Sequence, residues 1–222
     1  MTDADVQTGE SLDDLRLRLA PSIAESVAFD GWSVEAVRNA ARQAESDEDV
    51  ALYAFNGGQM QMIQAWVATV DKAMAEALPA EKLAGMKVRE RIGALVRFRL
   101  DQVRGREEAV RSALAIMAMP HNMARGLRIG WRSADVMWRL AGDVATDLNH
   151  YSKRAILAGI YAATLAAFID DDSEDKAETQ AFLDRRIDGV MRFEKAKARF
   201  VTPREERFSM ARLLGRLRYP AV

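Results

Sequence analysis

Apolar residues recur every three to four positions through nearly the whole chain, and no run alternates with period two through β-branched residues. That pattern suits helices that each bury one stripe, and it argues against a sheet as the frame of the fold. Ser11 is placed to cap a first helix carrying Leu15, Leu19, Ile23 and Val27 on one side. Ser33 caps a second after Gly31-Trp32, a short third covers about 48–55, and a fourth runs from Gln59 to Leu78, before Pro79. Further helices are expected over 80–104, over 107–119 up to Pro120, and from an Asn122 cap to near Gly142. In the first of these, Leu83, Met86, Ile92, Leu95 and Val96 point inward and Arg99 belongs with the outward charges. Asp147 caps a long helix to Ile169, a solvated corner follows at 170–173, and another helix covers 175 to about 197. The expected fold is all-α, of about ten helices. Its regions are a front end at 1–58, a helical body at 59–200 and a terminal segment at 201–222.

The inventory narrows the chemistry. With 49% apolar residues in 222, the chain can bury one substantial core. Lys plus Arg number 32 against 33 Asp plus Glu, so no global basic field attracts nucleic acid. Cysteine is absent, which excludes disulfides, thiolate zinc sites and CxxC redox pairs. The histidines are His121 and His150. Asp147-x-x-His150 mimics half of a carboxylate–histidine ligand pair, but a ferritin-like di-iron site needs two such pairs and two more glutamates on facing helices. His121 has no acidic residue near it in sequence and reads as a turn residue beside Pro120. No nucleophile–base–acid set and no phosphate-binding glycine loop is found, so no catalytic, metal or cofactor-binding residue is assigned.

The first 14 residues hold Asp3, Asp5, Glu10, Asp13 and Asp14 with no basic residue, unlike a signal or transit peptide. The uncharged stretch 155–169 falls short of the roughly 20 residues a bilayer span requires, so a buried core helix is expected there. These features lead to the expectation of a cytoplasmic protein.

Two short helices after a longer one, ending in Leu52-Tyr53-x-Phe55, resemble the helix-turn-helix of TetR-family regulators. In that family the third helix enters the major groove. Here no Lys or Arg lies between Arg42 and Lys72, while Glu45, Asp47, Glu48, Asp49 and Asp71 are negative. Phosphate neutralisation supplies most non-specific DNA affinity, so nucleic acid is not expected as a partner.

The rear half carries three ordered blocks. Residues 115–122 read AIMAMPHN, residues 135–143 read DVMWRLAGD, and residues 147–155 read DLNHYSKRA. Together they resemble the coenzyme Q biosynthesis protein nine family, accessory lipid-binding proteins of ubiquinone synthesis. The resemblance implies a TetR-like fold, usually a homodimer, that binds an isoprenoid lipid and is not an enzyme. It also implies presentation of a demethoxy-quinone precursor to the di-iron hydroxylase of the pathway. A terminal amphipathic helix would reach the inner face of an anionic membrane. Carried over by motif, the hydroxylase-facing positions are Met137, Asp147, Tyr151 and Arg154, with His150 between them where eukaryotic members carry an indole. By spacing alone, Asp147, Tyr151 and Arg154 share one helix face, which equally describes a cap and an intrahelical polar set.

A lipid-binding wall is expected from Met117, Met119, Leu127, Trp131, Trp138, Leu157, Ile160, Tyr161, Leu165 and Phe168, with small residues such as Gly126, Gly130 and Gly159 leaving room for an acyl or prenyl chain. The ligand would be an isoprenoid quinone precursor or a phospholipid. The same residues also read as plain core and close helix packing. On a helical wheel, Met210, Leu213, Leu214 and Leu217 fall within about 140–240 degrees of Phe208, flanked by Arg207, Arg216 and Arg218. That segment suits either an anionic membrane interface or docking on protein.

Overall fold

The computed structural model describes residues 10–144 and 148–200. Among these residues the chain is helical with no strand. Ten helices follow in order: α1 Leu12–Asp30, α2 Val34–Gln43, α3 Glu48–Ala54, α4 Gln59–Ala77, α5 Ala80–Leu83, α6 Val88–Gln102, α7 Glu107–Ala118, α8 Met123–Leu140, α9 Leu148–Ile169 and α10 Ala177–Phe200. Residues up to Asp184 form one compact unit, and the later part of α10 belongs to a second.

Local chemistry explains the front helices. The Ser11, Ser33 and Asp47 side chains accept from the backbone N–H of Asp14, Ala36 and Val50, each satisfying a donor the helix start leaves open. The α1 stripe of Leu15, Leu19, Ile23 and Val27 is buried, and α1 packs on α2, α3, α4 and α7. Trp32, in the α1–α2 turn, lies against Trp66 of α4 with ring centroids 5.5 Å apart. The front end is therefore continuous with the body through aromatic packing.

Four expectations need correction. The helix expected over 80–104 breaks at 84–87, between α5 and α6. Arg91 occupies the break: its guanidinium donates to the carbonyls of Met86 and Ala84, both at 2.8 Å, and of Ala141 at 2.9 Å. One cation thus serves backbone acceptors that a continuous helix would have used itself, and Met86 is exposed rather than inward. Asn122 does not cap α8 with its side chain, which instead donates to the Ile116 carbonyl.

The 170–173 corner is not solvated at Asp171. That carboxylate is buried and accepts from the backbone N–H and hydroxyl of both Ser173 and Thr179, at 2.5–2.9 Å. Burial works against its charge, but the donors prevail and hold its pKa well below the usual carboxylate range. It serves as a remote cap for the start of α10.

Finally, α9 is not a buried core helix. By length and composition it is apolar enough to cross a membrane, and only a third of that window is buried. Ala155, Ile156, Gly159, Ala162 and Ala166 lie exposed along it. The terminal segment at 201–222, including Met210, Leu213, Leu214, Leu217, Arg207, Arg216 and Arg218, lies outside the described residues, as does Asp147.

Candidate functional site

Helices α4, α6, α7, α8 and α9 line a cavity of about 700 Å³ that opens to the surface. That size falls within the roughly 300–1,000 Å³ of small-molecule sites. From α4 come Ile63, Trp66 and Val70, all buried, and from α7 Val110, Ala113 and Met117. Two outer helices supply small residues: Gly126 and Gly130 from α8, and Ala155, Ala158, Gly159 and Ala162 from α9. A Cβ added at Gly130 or Gly159 would meet nothing within 4 Å, so these glycines widen the space. Gly126 has a different role. A Cβ there would lie 3.0 Å from the Met117 carbonyl oxygen, so this glycine lets α7 and α8 approach closely.

The wall is apolar except for a buried cluster at its α4–α6–α8 side. Arg99, 2% exposed, pairs through Nη1 with Asp71 and donates from Nη2 to the Ser133 hydroxyl at 3.1 Å. Ser133 in turn donates to Asp71 at 3.3 Å. The Tyr161 ring lies beside the guanidinium, 4.8 Å from centroid to Cζ. Burial disfavours the charge on Arg99, but Tyr161 and Asp71 hold its pKa above the ordinary arginine value. The Nε–H of Arg99 is buried with no hydrogen-bond acceptor. Sequence reading placed Arg99 outward. The signal for the opposite was present, since Arg99 continues the Ile92, Leu95, Val96 stripe at helical spacing.

Of the expected lipid-wall residues, Met117, Leu127, Trp131, Tyr161 and Leu165 line the cavity. The others do not. Met119 is exposed in the α7–α8 link, Ile160 is half-buried on α9, and Leu157 and Phe168 are buried in the packing of α9. Trp138 turns away, donating from Nε1 to the Lys153 carbonyl at 3.0 Å under the Lys153 ammonium. The wall residues of α4 were missed because the sequence does not tell which helix covers which.

The second and third sequence blocks meet in a clasp. Arg154, 2% exposed, donates from Nε to Asp135 at 2.6 Å, and from Nη1 to Asp143 and the His150 carbonyl, each at 3.0 Å. Lys153 pairs with Asp143 at 2.7 Å. Gly142, in the positive-φ conformation that favours glycine, turns the chain out of α8 so that Asp143 can reach α9. Met137 is fully buried. Met137 and Arg154 therefore do not lie on the exposed contact face expected for them, because buried packing and two carboxylates draw them inward.

Of the other patch residues that are described, His150 is half-buried and Tyr151 lies at the surface. Tyr151 is 60% exposed, its ring 6.1 Å from that of Trp131 and edge-on to His150 at 5.1 Å. Trp131 also lines the cavity, so one indole joins the aromatic surface patch to the interior space.

Comparisons with known proteins agree with this architecture. Residues 123–194, which span the clasp, match the family model described as COQ9. Across 82% of the chain, the ubiquinone biosynthesis protein COQ9 of Rattus norvegicus is 31% identical and that of Homo sapiens 30%, and both are mitochondrial by name. The chain spans about three fifths of the length of these relatives. Among solved structures, a TetR transcriptional regulator from Nitrosomonas europaea superposes with a TM-score of 0.61 at 20% identity, covering 78% of this chain and 95% of that one. The fold is thus that of the TetR regulators. The chain carries the COQ9 family domain over residues 123–194 and is related across most of its length to the ubiquinone biosynthesis proteins COQ9.

Proposed function

We propose that the protein binds an isoprenoid quinone precursor in the α4–α9 cavity and presents it to the di-iron hydroxylase of ubiquinone synthesis, with no catalysis of its own. The observation that carries this reading is the cavity itself, a space of about 700 Å³ walled by apolar side chains and widened by glycines on the outer helices. A hydrocarbon tail gains roughly 25 cal/mol for each Å² of apolar surface it removes from water there. The exposed Tyr151, seated on Trp131, supplies a hydroxylase-facing patch beside the cavity. Aromatic anchors of this kind dominate many protein interfaces. Within the same proposal, the exposed small-residue face of α9 suits a homodimer and the segment at 204–218 an anionic membrane face.

Native mass spectrometry of the purified protein tests the proposal, with a co-purifying prenylated quinone precursor or phospholipid as the expected result. A protein that stays empty after incubation with vesicles containing a prenylated quinone would overturn it. Tyr151→Ala should weaken capture of the hydroxylase at least tenfold without changing helical circular dichroism.

A second reading, a ligand-responsive DNA regulator, is favoured by the fold match. The surface of α3 speaks against it. Glu48 and Asp49 open that helix, and Arg42 and Arg38 of α2 are already paired with Glu35. A gel shift at low salt that fades steeply as salt is added would favour the regulator.

A further inference from the structure

We infer that the outward face of α8 docks on an anionic phospholipid surface and sets the mouth of the cavity against it. The inference rests on the reading of the cavity as a lipid site and adds the route by which lipid reaches it. Arg125, Arg128 and Arg132 are exposed on α8. At the helical advance of about 100 degrees per residue, they fall within about 60 degrees of one another. Among the described residues none of the three has an ion-pair partner, whereas Arg139, further along the same face, is paired with Asp135 at 2.8 Å.

No counter-charge lies nearby in sequence either, since no Asp or Glu occurs between Glu108 and Asp135. Other exposed arginines are balanced: Arg18 pairs with Glu10, Arg104 with Asp101 and Asp175, and Arg111 with Glu108 and Asp170. Like charges one helical turn apart, as at Arg128 and Arg132, work against the helix that carries them. An anionic counter-surface removes that repulsion and gains attraction from all three at once.

The hydrocarbon beside these cations decides what the surface is. Met119 at the α7–α8 corner, and Met123 and Leu127 on the neighbouring flank of α8, are 41%, 50% and 70% exposed. Met123 and Leu127 also line the cavity, so the space reaches the surface beside them. A nucleic acid would meet the arginines and leave this hydrocarbon in water. A protein seated there would close the opening through which lipid must enter. An anionic leaflet accepts both kinds of side chain: phosphates take the guanidinium groups, and the headgroup–acyl boundary takes Met and Leu. The long arginine stems let the charges reach phosphates while the apolar residues enter deeper. Tyr151, seated on Trp131, adjoins this face, so the hydroxylase can receive the ligand beside the membrane.

The test mixes full-length protein with vesicles of phosphatidylcholine alone, or of phosphatidylcholine and phosphatidylglycerol in equal parts, all doped with farnesyl-1,4-benzoquinone. Co-sedimentation reads docking, and quinone carried by the protein after the vesicles are removed reads loading. The wild type should bind the anionic vesicles at least about tenfold more tightly than the neutral ones, load faster from them, and lose the difference as salt is added. Each cation near an anionic surface contributes about fivefold, so Arg125→Gln/Arg128→Gln/Arg132→Gln should lose roughly ten- to a hundredfold on the anionic vesicles. Lysine at the same three positions keeps the charge and should bind within about threefold of wild type. Glutamine at the exposed Lys72, Lys82 and Lys87 removes as much charge elsewhere and should also stay within about threefold. Anionic vesicles bound equally by the wild type and the arginine-to-glutamine variant, or an equal loss in the lysine-to-glutamine control, overturns the α8 face. So does an arginine-to-glutamine variant that keeps the vesicles and loses the hydroxylase, which assigns the face to a protein. Equal loading from both vesicle types overturns the placement of the mouth. Arginine-dependent docking with no quinone carried by any form keeps the face and overturns the lipid reading of the cavity.

Discussion

Arg154 and Arg99 are both 2% exposed, yet their surroundings differ in one decisive respect. Arg154 meets two carboxylates and a backbone carbonyl, and it ties the end of α8 to the start of α9. Arg99 meets one carboxylate, the Ser133 hydroxyl and Tyr161, its Nε–H has no acceptor, and it borders an apolar cavity. With acceptors at both Nε and Nη1, Arg154 is part of the framework. The Arg99 Nε–H, buried without an acceptor, is the exception that packing alone does not explain. The most recognisable text of the sequence therefore encodes a structural clasp, and the buried Arg99–Asp71–Ser133 cluster lies outside those blocks.

Stability measurements can break this contrast. Arg154→Met leaves Asp135 with Arg139 and Asp143 with Lys153 as their remaining cations, removes the cation that joins the two carboxylates, and should cost about 3 kcal/mol in urea unfolding. A loss below about 1 kcal/mol would show that the clasp is not holding the two helices. Asp171→Asn should lower stability at pH 7 by about 1–2 kcal/mol, since it weakens the remote cap of α10. The sign with pH follows from the depressed pKa of Asp171. Its contribution is complete above the unfolded value of about 3.9 and is lost as pH falls through the folded value, so the variant should show a shallower acid limb in thermal melts. The smallest effect is expected at Gly159→Ala, where nothing blocks a Cβ: a gain of about 0.5–1 kcal/mol, read as a higher unfolding midpoint. A loss there would mean that the α9 glycine serves backbone approach, as Gly126 does, rather than space.

Much of the fold was legible in the sequence because helix stripes and caps are local. Ser11, Ser33 and Asp47 announce helix starts through side chains that reach only three residues ahead. The break before α6 was not legible, because it depends on Arg91 reaching a carbonyl fifty residues away. The surface patch was partly legible. Tyr151 is exposed, as a contact residue must be, while Met137 and Arg154 turned inward, since spacing along one helix does not reveal what packs against it.

By itself the sequence determined an all-helical chain, the absence of thiol chemistry, an acidic stretch where a TetR-like reader would carry cations, and three ordered motif blocks in the rear half. Tertiary structure alone decided which apolar residues enclose space and which fill it, and which buried arginine is satisfied. The reason is physical. Helix formation and charge are properties of neighbours along the chain, whereas a cavity and an orphaned donor exist only through distances between residues far apart in sequence.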